Sequence, residues 1–191
     1  MTNLKRDTRE TQIECTVDIK GCGKSTIETG VGFFNHMLEA LSKHSGIDIN
    51  ITCKGDTHID DHHSVEDCGI VLGQALKKEI FPIEAVERYG NATVVMDEAA
   101  VTCALDLSNR PFLVYEGFEL FGKVGSFDVE LAEEFFHAIV MNSGITCHII
   151  CERGKNKHHI IEASFKALAV ALRRALTPNA KIGIPSTKGV L

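Results

Sequence analysis

Two stretches of this chain could hold metal ions, and they are spelled alike: Asp61-His62-His63-Ser64-Val65-Glu66 and Lys157-His158-His159-Ile160-Ile161-Glu162. On an α-helix, residues four apart share one face, so His62 with Glu66, and His158 with Glu162, can each grip one ion. The second histidine of each pair is turned by ~100° and must look toward a different ion. Two such helices therefore predict two ions, each held by the His/Glu pair of one helix and the odd histidine of the other. One ion takes His62, Glu66 and His159; the other takes His158, Glu162 and His63. A further ligand is expected from an earlier helix in each half of the chain. His36 is the candidate in the first half; Glu134 and His137 compete in the second. Imidazoles with carboxylates suit Mn²⁺, Fe²⁺, Co²⁺ or Zn²⁺, and the lack of a thiolate cluster argues against structural zinc.

The elements that must position these groups also occur twice. Glu10 to Ile19 aligns without a gap on Glu98 to Leu107, and both segments alternate apolar and polar residues as half-buried strands do. His36 to Ile47 aligns on Glu134 to Ile145 at helical spacing, and Ser-Gly closes both helices where glycine suits a left-handed cap. A strand follows in each half, then a loop with Gly55 or Gly154, then the long helix opened by the paired histidines. The reading is an α+β fold of two duplicated halves, 1–89 and 90–191, each ordered strand, strand, helix, strand or two, helix. The helices should lie on one face of mainly antiparallel sheet. The alignment sets Glu134 opposite His36 and His137 opposite Glu39. Three residues shift a helical position by ~300° and ~4.5 Å, so Glu134 is the preferred ligand.

With 191 residues, 44% apolar and 24% charged, the chain can bury an ordinary core as one domain or two small ones folded together. Its polar N-terminus is unlike a secretory signal, and no apolar run reaches the ~18–20 residues of a membrane span. Seven cysteines scattered through apolar segments point to reduced thiols in the cytoplasm. A net charge of −6 without a basic stripe disfavours nucleic acid. Gly21-Cys22-Gly23-Lys24-Ser25-Thr26 fails the spacing of a phosphate loop, and the metalloprotease HExxH is absent.

Asn35-His36-Met37-Leu38, Asp61 to Asp67 and Asn156 to Ala163 resemble the imidazoleglycerol-phosphate dehydratase family. So do Arg9-Glu10-Thr11, Leu107-Ser108-Asn109-Arg110-Pro111 and Pro185-Ser186-Thr187-Lys188-Gly189, in the family's order along nearly the whole chain. The resemblance implies a ribosomal protein S5 domain 2-like fold, trimers assembled into a 24-subunit cage, and two Mn²⁺ per active site at subunit contacts. Many family members carry histidine where this chain has Glu134.

The activity implied is loss of water from an imidazole-bearing sugar phosphate in histidine biosynthesis. The C–H to be broken adjoins no carbonyl, so the ring must supply the electrons, and imidazole bound to two cations is more easily deprotonated. The expected route is a metal-bound imidazolate that expels the hydroxyl, followed by proton removal by a carboxylate. The family pattern nominates Glu10 for that proton, and Glu66 and Glu162 complete the expected catalytic carboxylates. For phosphate it nominates Arg88, Arg110, Lys166, Ser186 and Lys188, with Glu10 also touching substrate. Two other readings are a non-catalytic metal-binding assembly and a di-metal hydrolase.

Overall fold

The structure is a computed structural model that describes residues 1–189; positions 190 and 191, the end of the expected second half, lie outside the described residues. Fourteen elements follow one another: β1 (Thr2–Asp7), β2 (Thr11–Asp18), β3 (Ser25–Glu28), α1 (Gly32–Ser45), β4 (Asp48–Gly55), α2 (His62–Ile80), β5 (Tyr89–Met96), β6 (Ala99–Asp106), β7 (Phe112–Glu116), β8 (Lys123–Val124), β9 (Phe127–Asp128), α3 (Leu131–Ser143), β10 (Thr146–Arg153) and α4 (Lys157–Ala175). They build two four-stranded sheets of identical order, β1-β2-β4-β3 and β5-β6-β10-β7. In each the central pairs are antiparallel, and the last strand runs parallel to its neighbour. The α+β class is as expected.

The order within each half differs from the expected one. The extra strand precedes the first helix instead of following it, as β3 in one half and β7 in the other. A parallel neighbour requires a crossover, and α1 or α3 supplies it. Among the described residues, the β8–β9 hairpin has no counterpart in the first half.

Alternation decides which sheet face is covered. In β2 the side chains of Ile13, Cys15 and Val17 are buried while Gln12 and Glu14 face solvent. Both sheets carry their helices on one face, and α1 packs on α4 while α2 packs on α3, leaving the helices between the sheets. Leu38, Leu41, Phe136 and Ile139, the apolar positions aligned between the halves, are all buried there. Each contributes about 1.5–3 kcal/mol by leaving water. Gly46 and Gly144 cap α1 and α3 in the left-handed conformation, both with φ 76°.

The α2–α3 contact is close enough to exclude a methyl group. A Cβ on Gly73 would lie 2.7 Å from the Ile139 carbonyl oxygen and 2.8 Å from the Asn142 Cβ. Because one of those atoms is backbone, relief requires the helices to part. Gly73→Ala should therefore destabilise the chain by about 1–3 kcal/mol, seen as a lower urea midpoint at matched protein concentration; an unchanged midpoint would show that the interface is looser than this.

Candidate active site

Both paired-histidine helices begin at a loop that satisfies a backbone donor of their first turn. The Asn156 side chain accepts from the His158 backbone N–H at 3.0 Å, and Asp60 accepts from that of His62 at 2.9 Å. The helical period then works as expected. His158 Nε2 lies 3.0 Å from Glu162 Oε2, and His62 Nε2 lies 3.9 Å from Glu66 Oε2.

The packing of α1 on α4 brings His36 to the second of these pairs, with its Nε2 3.4 Å from Glu162 Oε2. Nitrogen and oxygen donors of His36, His158 and Glu162 all lie within 4.8 Å of one another. Among the described residues no other group of three such side chains is this close. Phe33 sets its ring edge-on to His158 at 5.1 Å and walls one side. Glu162 is only 5% exposed. Burial alone would raise its carboxyl, but the Lys166 hydrogen bond and charge, with His158 and His36, outweigh that and hold it below the usual carboxylate range. The Lys166 ammonium donates to Glu162 Oε1 at 2.6 Å, so this lysine makes the intrahelical pair its spacing allows.

The odd histidines do not reach the opposite pairs within one chain. His63 presents Nδ1 to both Asp56 carboxylate oxygens, at 3.0 and 3.2 Å, and its Nε2 lies 3.8 Å from Glu10. His159 presents Nδ1 to Glu98 Oε2 at 2.8 Å. The Asp56 hydrogen bond raises His63 above the usual imidazole range, as the Glu98 bond does His159. Glu98 is itself drawn down to about 2 by His159 first, then by the backbone N–H groups of Asn156 and Lys155. Glu10 is half exposed. In the second half Glu134 and His137 flank one pocket beside Leu113 and Tyr115.

Of the residues nominated for phosphate, Lys166 lies at this cluster, while Arg88 and Ser186 lie at a different place. Arg88, Tyr89, Ser186 and Thr187 line a cleft of about 500 Å³ with Ile182, Ile184 and Pro185. Arg88 is buried and heavily engaged: its Nε and Nη2 donate to Asp106 at 2.7 and 3.0 Å, and Nη1 donates to the Pro185 carbonyl at 2.6 Å. Arg110 is exposed, 4.0 Å from the same Asp106, on a loop fixed by Ser108 and Thr146. Ser186 accepts from the Lys188 backbone N–H at 3.2 Å, and Lys188 is exposed.

Sequence reasoning passed over two of these groups, Asp56 and Asp106. Asp56 stands in a polar loop with no helical spacing to His63. Asp106 had one usable signal, its place four residues before Arg110. The donor chemistry fits a divalent cation: imidazole nitrogens and carboxylates converge without thiolates.

Residues 29–172 match the family model described as imidazoleglycerol-phosphate dehydratase. A protein of that name from Aliarcobacter butzleri is 75% identical over 191 residues, covering all of both chains. Another from Sulfurovum sp. is 63% identical over the same length. The crystal structure of the Staphylococcus aureus imidazoleglycerol-phosphate dehydratase has TM-score 0.83 at 42% identity, covering 94% of this chain and 100% of its own. The structure of the protein from Pyrococcus furiosus has TM-score 0.84 at 36% identity, covering 98% and 100%. With the model spanning most of its length and relatives this similar end to end, the chain belongs to the imidazoleglycerol-phosphate dehydratase family.

Proposed function

We propose that this chain is a metal-dependent hydro-lyase that converts D-erythro-imidazole glycerol phosphate to imidazole acetol phosphate in histidine biosynthesis, in the cytoplasm. The observation that carries this reading is the meeting of His36, His158 and Glu162 from the two ends of a chain whose whole length matches the family. We assign two Mn²⁺ per active site. His36, His158 and Glu162 would hold one ion with His63 of another copy. His62, Glu66 and Glu134 would hold the other with another copy's His159. Sharing of this kind calls for a homo-oligomer, and we take the trimer-based 24-subunit cage as its form. Within each copy we take 1–89 and 90–191 as the two repeat halves.

When bound, the cations would supply the Lewis acidity that makes the substrate's imidazole N–H easier to lose, so that the ring's electrons can expel the neighbouring hydroxyl. The chain's own residues do the rest. Glu10 is a free carboxylate beside His63, whereas its repeat mate Glu98 is committed to three hydrogen bonds. Glu10 therefore removes the proton from the carbon beyond the departing hydroxyl. The C–O bond breaks, that C–H pair becomes the new double bond, and return of a proton beside the ring turns the enol into the ketone. Arg110, Ser186 and Lys188 receive the phosphate, which stays attached throughout. Arg88 has two N–H groups left over from Asp106 and Pro185, and Lys166 is available once Glu162 is satisfied by metal.

Metal-stripped protein should form no ketone from imidazole glycerol phosphate, and added Mn²⁺ should restore turnover. A folded protein that takes up divalent metal yet turns over nothing would favour the metal-binding assembly. Released inorganic phosphate would favour the hydrolase. Glu10→Gln should keep its metal content and lose roughly 10²–10⁴-fold in kcat, the usual worth of a general base; turnover close to that of the unaltered chain would remove Glu10 from the reaction. Arg110→Ala should raise KM by about tenfold or more, the loss of a charge-assisted hydrogen bond worth about 1.5–3 kcal/mol, with metal uptake unchanged. A KM left where it was would place phosphate elsewhere.

A further inference from the structure

We propose that Asp56 and Glu98 are positioning residues that hold the His63 and His159 rings by Nδ1, so that each presents Nε2 as a metal donor. We further propose that the two halves supply this carboxylate from different loops, and that this exchange leaves Glu10 free. The inference rests on the reading of His63 and His159 as metal ligands given above.

A neutral imidazole carries one N–H and one lone pair, and a carboxylate can only accept. A carboxylate at Nδ1 therefore fixes the proton there and turns the Nε2 lone pair outward, which is the orientation a ligand needs. Both rings meet that condition. Asp56 grips His63 Nδ1 with both oxygens from the loop after β4. Glu98 grips His159 Nδ1 from the β5–β6 turn. The other Glu98 oxygen accepts from the backbone N–H groups of Lys155 and Asn156, at 3.1 and 2.7 Å, tying the loop before α4 to the same carboxylate.

The two halves are not equivalent here. Glu10 occupies the position of Glu98 in the gapless repeat, immediately before β2 as Glu98 is before β6. Glu98 binds its histidine from behind, at Nδ1. Glu10 stands 3.8 Å from His63 at Nε2, on the donor side of the ring. Because Asp56 already occupies Nδ1, Glu10 has no orienting task. A carboxylate at the mouth of a metal site without one can exchange protons with substrate.

The test is Mn²⁺ affinity of the full-length protein by calorimetry, with circular dichroism to verify folding and the Mn²⁺ electron paramagnetic resonance spectrum to report the ligand field. Asp56→Ala should weaken Mn²⁺ binding by roughly 10–100-fold, the usual effect of losing such a partner. Asp56→Asn, whose amide oxygen can still accept from Nδ1, should recover most of it. Glu98→Gln should behave differently. Its single oxygen stays with the two backbone donors, its amide N–H₂ then faces Nδ1, and affinity should fall by a similar factor while the fold is kept. Glu14→Gln, an exposed carboxylate paired with Lys5 on the solvent face of β2, serves as the control and should change affinity less than about twofold. Unaltered Mn²⁺ affinity and spectrum in folded Asp56→Ala and Glu98→Gln would overturn the inference and leave the dehydratase reading standing. Failure of the unaltered protein to bind Mn²⁺ would overturn the metal assignment itself.

Discussion

The site depends on keeping one carboxylate charged where water hardly reaches it. Moving an ion into a low-dielectric interior costs several kcal/mol even after relaxation. Glu162 meets that cost with Lys166 one turn ahead, His158 one turn behind, and His36 from a helix in the other half of the chain. The first two partners come with the helical period. The third requires α1 and α4 to be packed in one register only. Aromatic contacts relayed through α3 support that register: Phe34 of α1 lies against Phe135 of α3 at 5.3 Å, and Phe135 against Phe165 of α4 at 5.0 Å. Offset and edge-on ring contacts prefer particular geometries, so a slip of either helix would cost packing and leave Glu162 short of a partner together.

The second copy of the motif meets a different environment. Glu66 has Ile70 one turn ahead, where Glu162 has Lys166, so no cation on α2 compensates it. It stays 44% exposed and sits 3.9 Å from His62. The two helices thus share one motif, but among the described residues only one of them carries a buried, close-set His/Glu cluster. The looser pair is the one that most needs groups from elsewhere, which agrees with the proposal that neighbouring copies complete it.

Much of this was legible in the residues alone. The paired helices follow from spacing, the halves from gapless similarity, and the glycine caps from position. Other features left little trace. Strand β3 buries Ile27 and exposes its other three side chains, so its four residues read as loop. Strand β7 begins at the exposed Phe112 and shows no strict alternation. The partner of His36 was equally hidden, because the period of a helix says which residues share a face and nothing about which helix will face it. Asp56 escaped for a related reason: a loop carboxylate becomes an orienting group only through tertiary proximity to His63.

The C-terminal cleft shows the same division between groups that build and groups left free. Arg88 adopts φ +70°, a left-handed conformation that costs a residue with a side chain about 1–3 kcal/mol. Its backbone N–H donates to the Ala175 carbonyl, its own carbonyl accepts from Leu107, and its guanidinium clamps Asp106 and the Pro185 carbonyl. These bonds fasten the end of α4 and the tail to β6, and they offset the strain. Asp106 thereby neutralises the buried arginine while standing 4.0 Å from Arg110, whose charge remains exposed. An arriving anion would meet Arg110 and Lys188 at little desolvation cost, on a tail already held in place by Arg88. In the proposed phosphate site, the buried arginine would hold the loops in place and the exposed charges would receive the anion.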